Sequence, residues 1–131
     1  MPLGTVRDIM TKSLVTAKPD TSVKHVVELM RERNVGSVLV VDESGKLVGI
    51  FTERDLVKLV AEGKSLDVPV KEVMTTKLVV AHESDSIASI ANKMIENWIR
   101  HIPVVDEQGR PIGIVSIRDV LRHIVASSAF P

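Results

Sequence analysis

Val40-Val41-Asp42-Glu43-Ser44-Gly45-Lys46-Leu47-Val48-Gly49-Ile50-Phe51-Thr52-Glu53-Arg54-Asp55 returns as Val104-Val105-Asp106-Glu107-Gln108-Gly109-Arg110-Pro111-Ile112-Gly113-Ile114-Val115-Ser116-Ile117-Arg118-Asp119. The register holds without a gap back to Val6 on Val70 and Met10 on Met74, and forward to Val60 on Ile124. An internal duplication decides the architecture before any single residue does.

Within one copy, Asp42 to Gly45 is a short polar loop between two branched apolar runs, 37–41 and 47–51, and predicts a hairpin with glycine in the left-handed position. Upstream, Val23, Val26, Val27 and Met30 recur at helical spacing, matched by Ile87, Ile90, Ala91, Met94 and Trp98. Pro19-Asp20-Thr21-Ser22 and Glu83-Ser84-Asp85-Ser86 supply helix-start chemistry. A brief strand is expected at 14–17 and again at 78–81, preceded by a short helical turn at 6–10 and 70–74 whose methionines, Met10 and Met74, pack. A last helix runs from Thr52 to Ala61 and from Ser116 to Val125. Each copy therefore reads strand, helix, strand, strand, helix, an α/β (α+β) fold, with repeats at 6–66 and 70–128. A copy of about 60 residues is marginal alone, so the two are expected to share one core.

Composition narrows the function. The chain is 44% hydrophobic but 2% aromatic, so the core is aliphatic. Seventeen basic residues balance seventeen acidic ones, which argues against nucleic acid, whose phosphates demand a basic surface. The absence of cysteine removes thiol nucleophiles and thiolate metal sites. No apolar run approaches the ~18 residues of a membrane span, and no signal peptide is visible, so a cytoplasmic protein is expected. His25, His82, His101 and His123 lack metal-ligand spacing, and no metal is expected. Arg31-Glu32-Arg33 reads as a solvated helix face. Trp98 is expected in the core or at a dimer contact rather than against a base.

The polar residues kept in both copies are Thr52-x-x-Asp55 and Ser116-x-x-Asp119, each at a strand-to-helix junction. One reading is a capping box, with an acid in the first turn suiting the helix dipole. The other is a ligand site. Such junctions are where α/β proteins place nucleotides; a carboxylate can accept both hydroxyls of a ribose; helix-start amides beside Arg54 or Arg118 favour phosphate. The two roles are compatible.

The Val-Val-Asp-Glu-x-Gly hairpin, the Gly-x-x-Thr/Ser-x-x-Asp junction and Arg100-His101-Ile102-Pro103-Val104-Val105-Asp106, found in order and in register, make the chain resemble a pair of CBS (cystathionine-β-synthase) repeats, a Bateman module. The resemblance spans Val6 to Val125. It implies two repeats packed about a pseudo-twofold axis through their sheets, with two clefts that take AMP, ADP or ATP, or else S-adenosylmethionine or NAD, and no required cofactor. It also implies ribose-binding acids at Asp55 and Asp119 with Thr52 and Ser116 as companions. Each acid is expected to work with strand residues of the other repeat: Asp55 with Val80, Ala81, His101, Ile102 and Pro103, and Asp119 with Thr16, Ala17, Ser37 and Val38. Arg100-His101 stands where the first copy has Gly36-Ser37, so the clefts are expected to differ in affinity. A homodimer follows by the same analogy, its surface drawn from Val57, Leu59, Val60, Leu121, Ile124 and Val125.

The expected function is a nucleotide sensor read by a separate effector protein that the sequence does not name. The rival is a scaffold with the same fold and no nucleotide. No nucleophile–base set, phosphate loop or paired metal carboxylates support an enzyme.

Overall fold

One aspartate and one glycine close each hairpin. Asp42 Oδ1 accepts the Ser44 hydroxyl (2.7 Å) and the backbone N–H groups of Ser44 (2.9 Å) and Lys46 (3.0 Å), while Gly45 takes a φ of 86°. These donors, the Ser44 hydroxyl foremost, hold the Asp42 carboxyl below its ordinary 3.8. Asp106 Oδ1 repeats the pattern with the amides of Gln108 and Arg110, both at 2.9 Å.

The computed structural model describes residues 3–127, which group into two compact units. The first unit is Val15–Leu78. It contains β1 (Thr16–Ala17), α1 (Val23–Arg33), β2 (Ser37–Val41), β3 (Leu47–Thr52) and α2 (Glu53–Ala61), then a 3₁₀ turn at Val70–Glu72. β1 lies parallel to β2, and β2 antiparallel to β3, giving a three-stranded sheet. Ser22 caps α1 by accepting the His25 amide at 3.2 Å, and Asn34 ends it in the left-handed region. Val23, Val26, Met30, Val38, Val40, Phe51, Leu59 and Val70 form its core.

The second unit joins the described residues of Met1–Leu14 to those of Val79–Pro131. It contains a 3₁₀ turn at Val6–Asp8, then α3 (Ile87–Asn97), β4 (His101–Val105), β5 (Pro111–Ser116) and α4 (Ile117–Ala126). Ser128, the last residue of the second repeat as delimited from sequence, lies outside the described residues. The core here is Val6, Ala81, Ile87, Ile90, Met94, Ile102, Val104, Val115 and Val120.

The lead segments are thus exchanged. Val6 is fully buried among residues of the second copy, and its amide donates to Asp85 O at 2.9 Å; Thr11 and Ile114 bond each other through both backbone groups. Val70 is equally buried among residues of the first copy, donating to Thr21 O at 2.7 Å. Two glycines make room for these segments. A Cβ on Gly49 would lie 2.9 Å from Met74 Cγ, and one on Gly113 would lie 2.8 Å from Met10 Sδ. Most of the buried apolar side chains fall into two clusters, one in each unit, because each sheet is covered by its own helices and sealed by the other copy's lead.

Two expectations are corrected. The strand at 78–81 shrinks to a single bridge, Ala81 with Val104. In the first unit the Leu39 amide donates to Val15 O at 3.0 Å and fixes β1; its counterpart is Pro103, which has no N–H to give. Trp98 leaves the buried stripe. α3 ends at Asn97, and Trp98 caps it with a φ of 55°, 83% exposed. Its counterpart Asn34 suits that left-handed position; Trp98 holds it at a cost of about 1–2 kcal/mol.

Candidate functional site

Strand register gathers the candidate residues unit by unit. In Val15–Leu78, β2 starts where β3 ends, so Ser37 faces Thr52, and Val38 faces Phe51. Thr16 and Ala17 lie alongside on β1, opposite Leu39 and Val40. The Glu53 amide donates to Gly36 O at 3.2 Å and ties the helix start to the strand start. In the other unit His101 faces Ser116, Ile102 faces Val115, and Ile117 donates to Arg100 O at 2.8 Å. Val80 and Ala81 run beside β4. Ala17, Ser37, Val38, Ala81, Ile102 and Pro103 are buried, whereas Thr16, Arg54, Arg100 and Arg118 are exposed.

Both junctions are capping boxes. Thr52 N–H donates to Asp55 Oδ2 at 2.9 Å, and the Asp55 amide returns to Thr52 Oγ1 at 3.4 Å. Ser116 and Asp119 do the same at 2.8 and 3.1 Å. The capping reading therefore holds in both copies. It leaves each acid half-buried at a helix start, with the amide dipoles behind it and part of its acceptor capacity unspent.

The two acids differ in what else they hold. Asp55 Oδ1 accepts the Thr75 hydroxyl at 2.9 Å. Asp119 Oδ1 lies 3.7 Å from Arg122 Nη1, a looser pair whose arginine side chain is 65% exposed. The second unit adds a cation the sequence reading did not pick out. Lys93 Nζ donates to Val80 O at 3.3 Å, beside a residue expected to line a ligand; the signal was available, since Lys93 replaces Leu29 of the first copy. Among the described residues, no three His, Cys, Asp or Glu side chains are placed to hold a metal ion. None of the helices there is long and apolar enough to cross a membrane.

Comparison with known proteins agrees with this geometry. The CBS domain model matches twice, over residues 6–62 and 70–126. The chain belongs to the CBS domain family. It is 35% identical over 120 residues to an uncharacterized 17.7 kDa protein of Acidianus ambivalens, covering 92% of this chain and 73% of that one. It is 36% identical to part of the L-aspartate semialdehyde sulfurtransferase of Methanocaldococcus jannaschii, spanning only 23% of that enzyme's length. Among solved structures, it resembles the CBS domain pair of protein MJ0100 in complex with 5′-methylthioadenosine and S-adenosyl-L-methionine. The TM-score there is 0.87 at 36% identity, over 92% of this chain and 95% of that one. It also resembles CBSX2 in complex with AMP, with a TM-score of 0.84 and 33% identity over 93% and 96% of the two chains. The fold is that of a tandem CBS pair, and the sulfurtransferase name belongs to a much longer chain.

Proposed function

We propose that this CBS pair is a regulatory module that binds an adenosine compound at Thr52/Asp55 and Ser116/Asp119. The observation that carries the reading is the twice-built junction. In each unit a half-buried carboxylate lies at a helix start, held in a capping box that leaves part of its acceptor capacity for a ribose diol. The ribose diol would bond to the acid, and phosphate would meet the helix-start amides with Arg54 or Arg118 alongside. AMP and S-adenosylmethionine complexes of similar CBS pairs support the ligand class. Regulation follows from linkage: a ligand that binds one arrangement of the module better shifts the population toward it. A separate protein would read that shift.

We also assign a homodimer to the outer faces of α2 and α4. Val57 and Val60 on α2, and Leu121 and Val125 on α4, are each more than half exposed. Leu59 and Ile124 leave the surface proposed from sequence, since both pack into the cores.

The test is a thermal-shift series with AMP, ADP, ATP, NAD and S-adenosylmethionine. Ligand at 100 times its Kd adds roughly 2.7 kcal/mol of stability. Asp55→Asn and Asp119→Asn refine it, because asparagine keeps one acceptor for the capping amide and loses the paired acceptor for a diol. Each is expected to retain the fold and lose one site. No response to any of the five compounds would favour the scaffold.

A further inference from the structure

We propose that Thr75 is a specificity residue that competes with the ligand for Asp55, so the two sites are unequal before any base is read. This rests on the nucleotide reading above. A carboxylate offers about four lone-pair positions. Asp55 has committed three: Oδ2 to the Thr52 amide (2.9 Å) and the Thr52 hydroxyl (3.3 Å), and Oδ1 to the Thr75 hydroxyl (2.9 Å). A ribose diol donates two hydrogen bonds and needs two positions. One present donor must leave.

The Thr52 donors are tied into the helix cap, where loss would unwind the start of α2. Thr75 is the donor that can go. It is exposed, its hydroxyl turns about one bond, and water can replace the acid as its partner. Its backbone is separately anchored, since Ile50 and Thr75 exchange both amide bonds at 3.0 and 2.9 Å. Loss of the side-chain bond therefore leaves the segment in place.

The other copy lacks this competitor. Thr11, the counterpart of Thr75, makes the same backbone exchange with Ile114, but among the described residues its hydroxyl makes no bond to Asp119. Asp119 commits one position to the Ser116 amide and keeps a 3.7 Å pair with Arg122. The diol thus meets an engaged acid in Val15–Leu78 and a more open one in the other unit.

The experiment is calorimetry of the full chain with AMP in an Asp119→Ala background, which leaves the Asp55 site alone. Thr75→Val keeps the shape and β-branch while removing the hydroxyl. It should tighten AMP about fivefold, the worth of one ordinary net hydrogen bond. Thr75→Ser should restore the parent affinity. 2′-deoxy-AMP, which needs one acceptor fewer, should gain clearly less from Thr75→Val, a difference that a merely structural role for Thr75 would not produce. In an Asp55→Ala background, Thr11→Val should leave AMP affinity at Asp119 unchanged. AMP bound by the wild type with unchanged or weaker binding in Thr75→Val overturns the competition and leaves the nucleotide reading intact. No heat from any variant or the wild type, with AMP or with S-adenosylmethionine, overturns both.

Discussion

Replacing Val6 by Ala tests the exchange of lead segments with a single side chain. Val6 is fully buried and belongs to the cluster of Ala81, Ile87, Ile90 and Ile102. The change removes two methyl groups, worth roughly 1.6 kcal/mol by transfer at ~0.8 kcal/mol each. The cavity left behind raises the loss to about 2–3 kcal/mol. At this chain length each kcal/mol lowers Tm by roughly 3–5 °C. Location matters more than magnitude here. Native-state hydrogen exchange should show lost protection in Ile87–Asn97 and His101–Val105, far along the chain from the substitution. Val23–Arg33, which is closer in sequence, should keep its protection. Val70→Ala should give the reverse pattern, loosening Val23–Arg33. If Val6→Ala loosened Val23–Arg33 and spared Ile87–Asn97, the assignment of cores would be refuted.

Three other outcomes follow from the same structure. Gly49→Ala forces Met74 away from β3 and should lower stability by about 1–3 kcal/mol in chemical denaturation, because the added methyl meets the methionine's Cγ as well as its mobile end. Ser86→Ala removes the acceptor for the Ser89 amide and should cost about 1 kcal/mol by the same assay, with Ser22→Ala as its counterpart on α1. Asp42 has a folded pKa depressed below 3.8, so its contribution is fully present above that value and is lost as pH falls through the lower folded pKa. Stability curves of wild type and Asp42→Asn should therefore run parallel above about pH 5 and converge in more acid solution. Curves that stayed parallel there would remove the Ser44 and Lys46 bonds from the account.

The hairpins, helix starts and junctions were legible because each is local chemistry. Asp42 with Gly45, Ser22 with His25, and Thr52 with Asp55 all act within a few residues, and the duplication printed each of them twice. The misread features depend on partners distant in sequence or on a group that is missing. Pro103 removes one donor from a ladder whose acceptor, Val79 O, lies 24 residues earlier, so a well-patterned strand at 78–81 is left with one bridge. Trp98 follows Met94 at helical spacing, yet the helix stops one residue before it and the left-handed turn swings it into solvent. Leu59 and Val60 are neighbours of equal hydropathic promise, and only the helix phase against its own sheet decides that one is buried and the other exposed. Thr75 was invisible for a similar reason. Its hydrogen bond to Asp55 exists only because the lead of one copy is folded into the unit of the other.

That exchange also sets a schedule. A ribosome delivers the chain from its N-terminus, and Val15–Leu78 has everything its core needs once residue 78 has emerged. The segment just before it has no such prospect. Arg7 waits for Glu83, 76 residues later, and the Leu3 carbonyl waits for His123, 120 residues later. Residues 3–14 therefore precede by more than 60 residues the unit into which they fold, and Val6 and Met10 have no core to enter until that unit has been made.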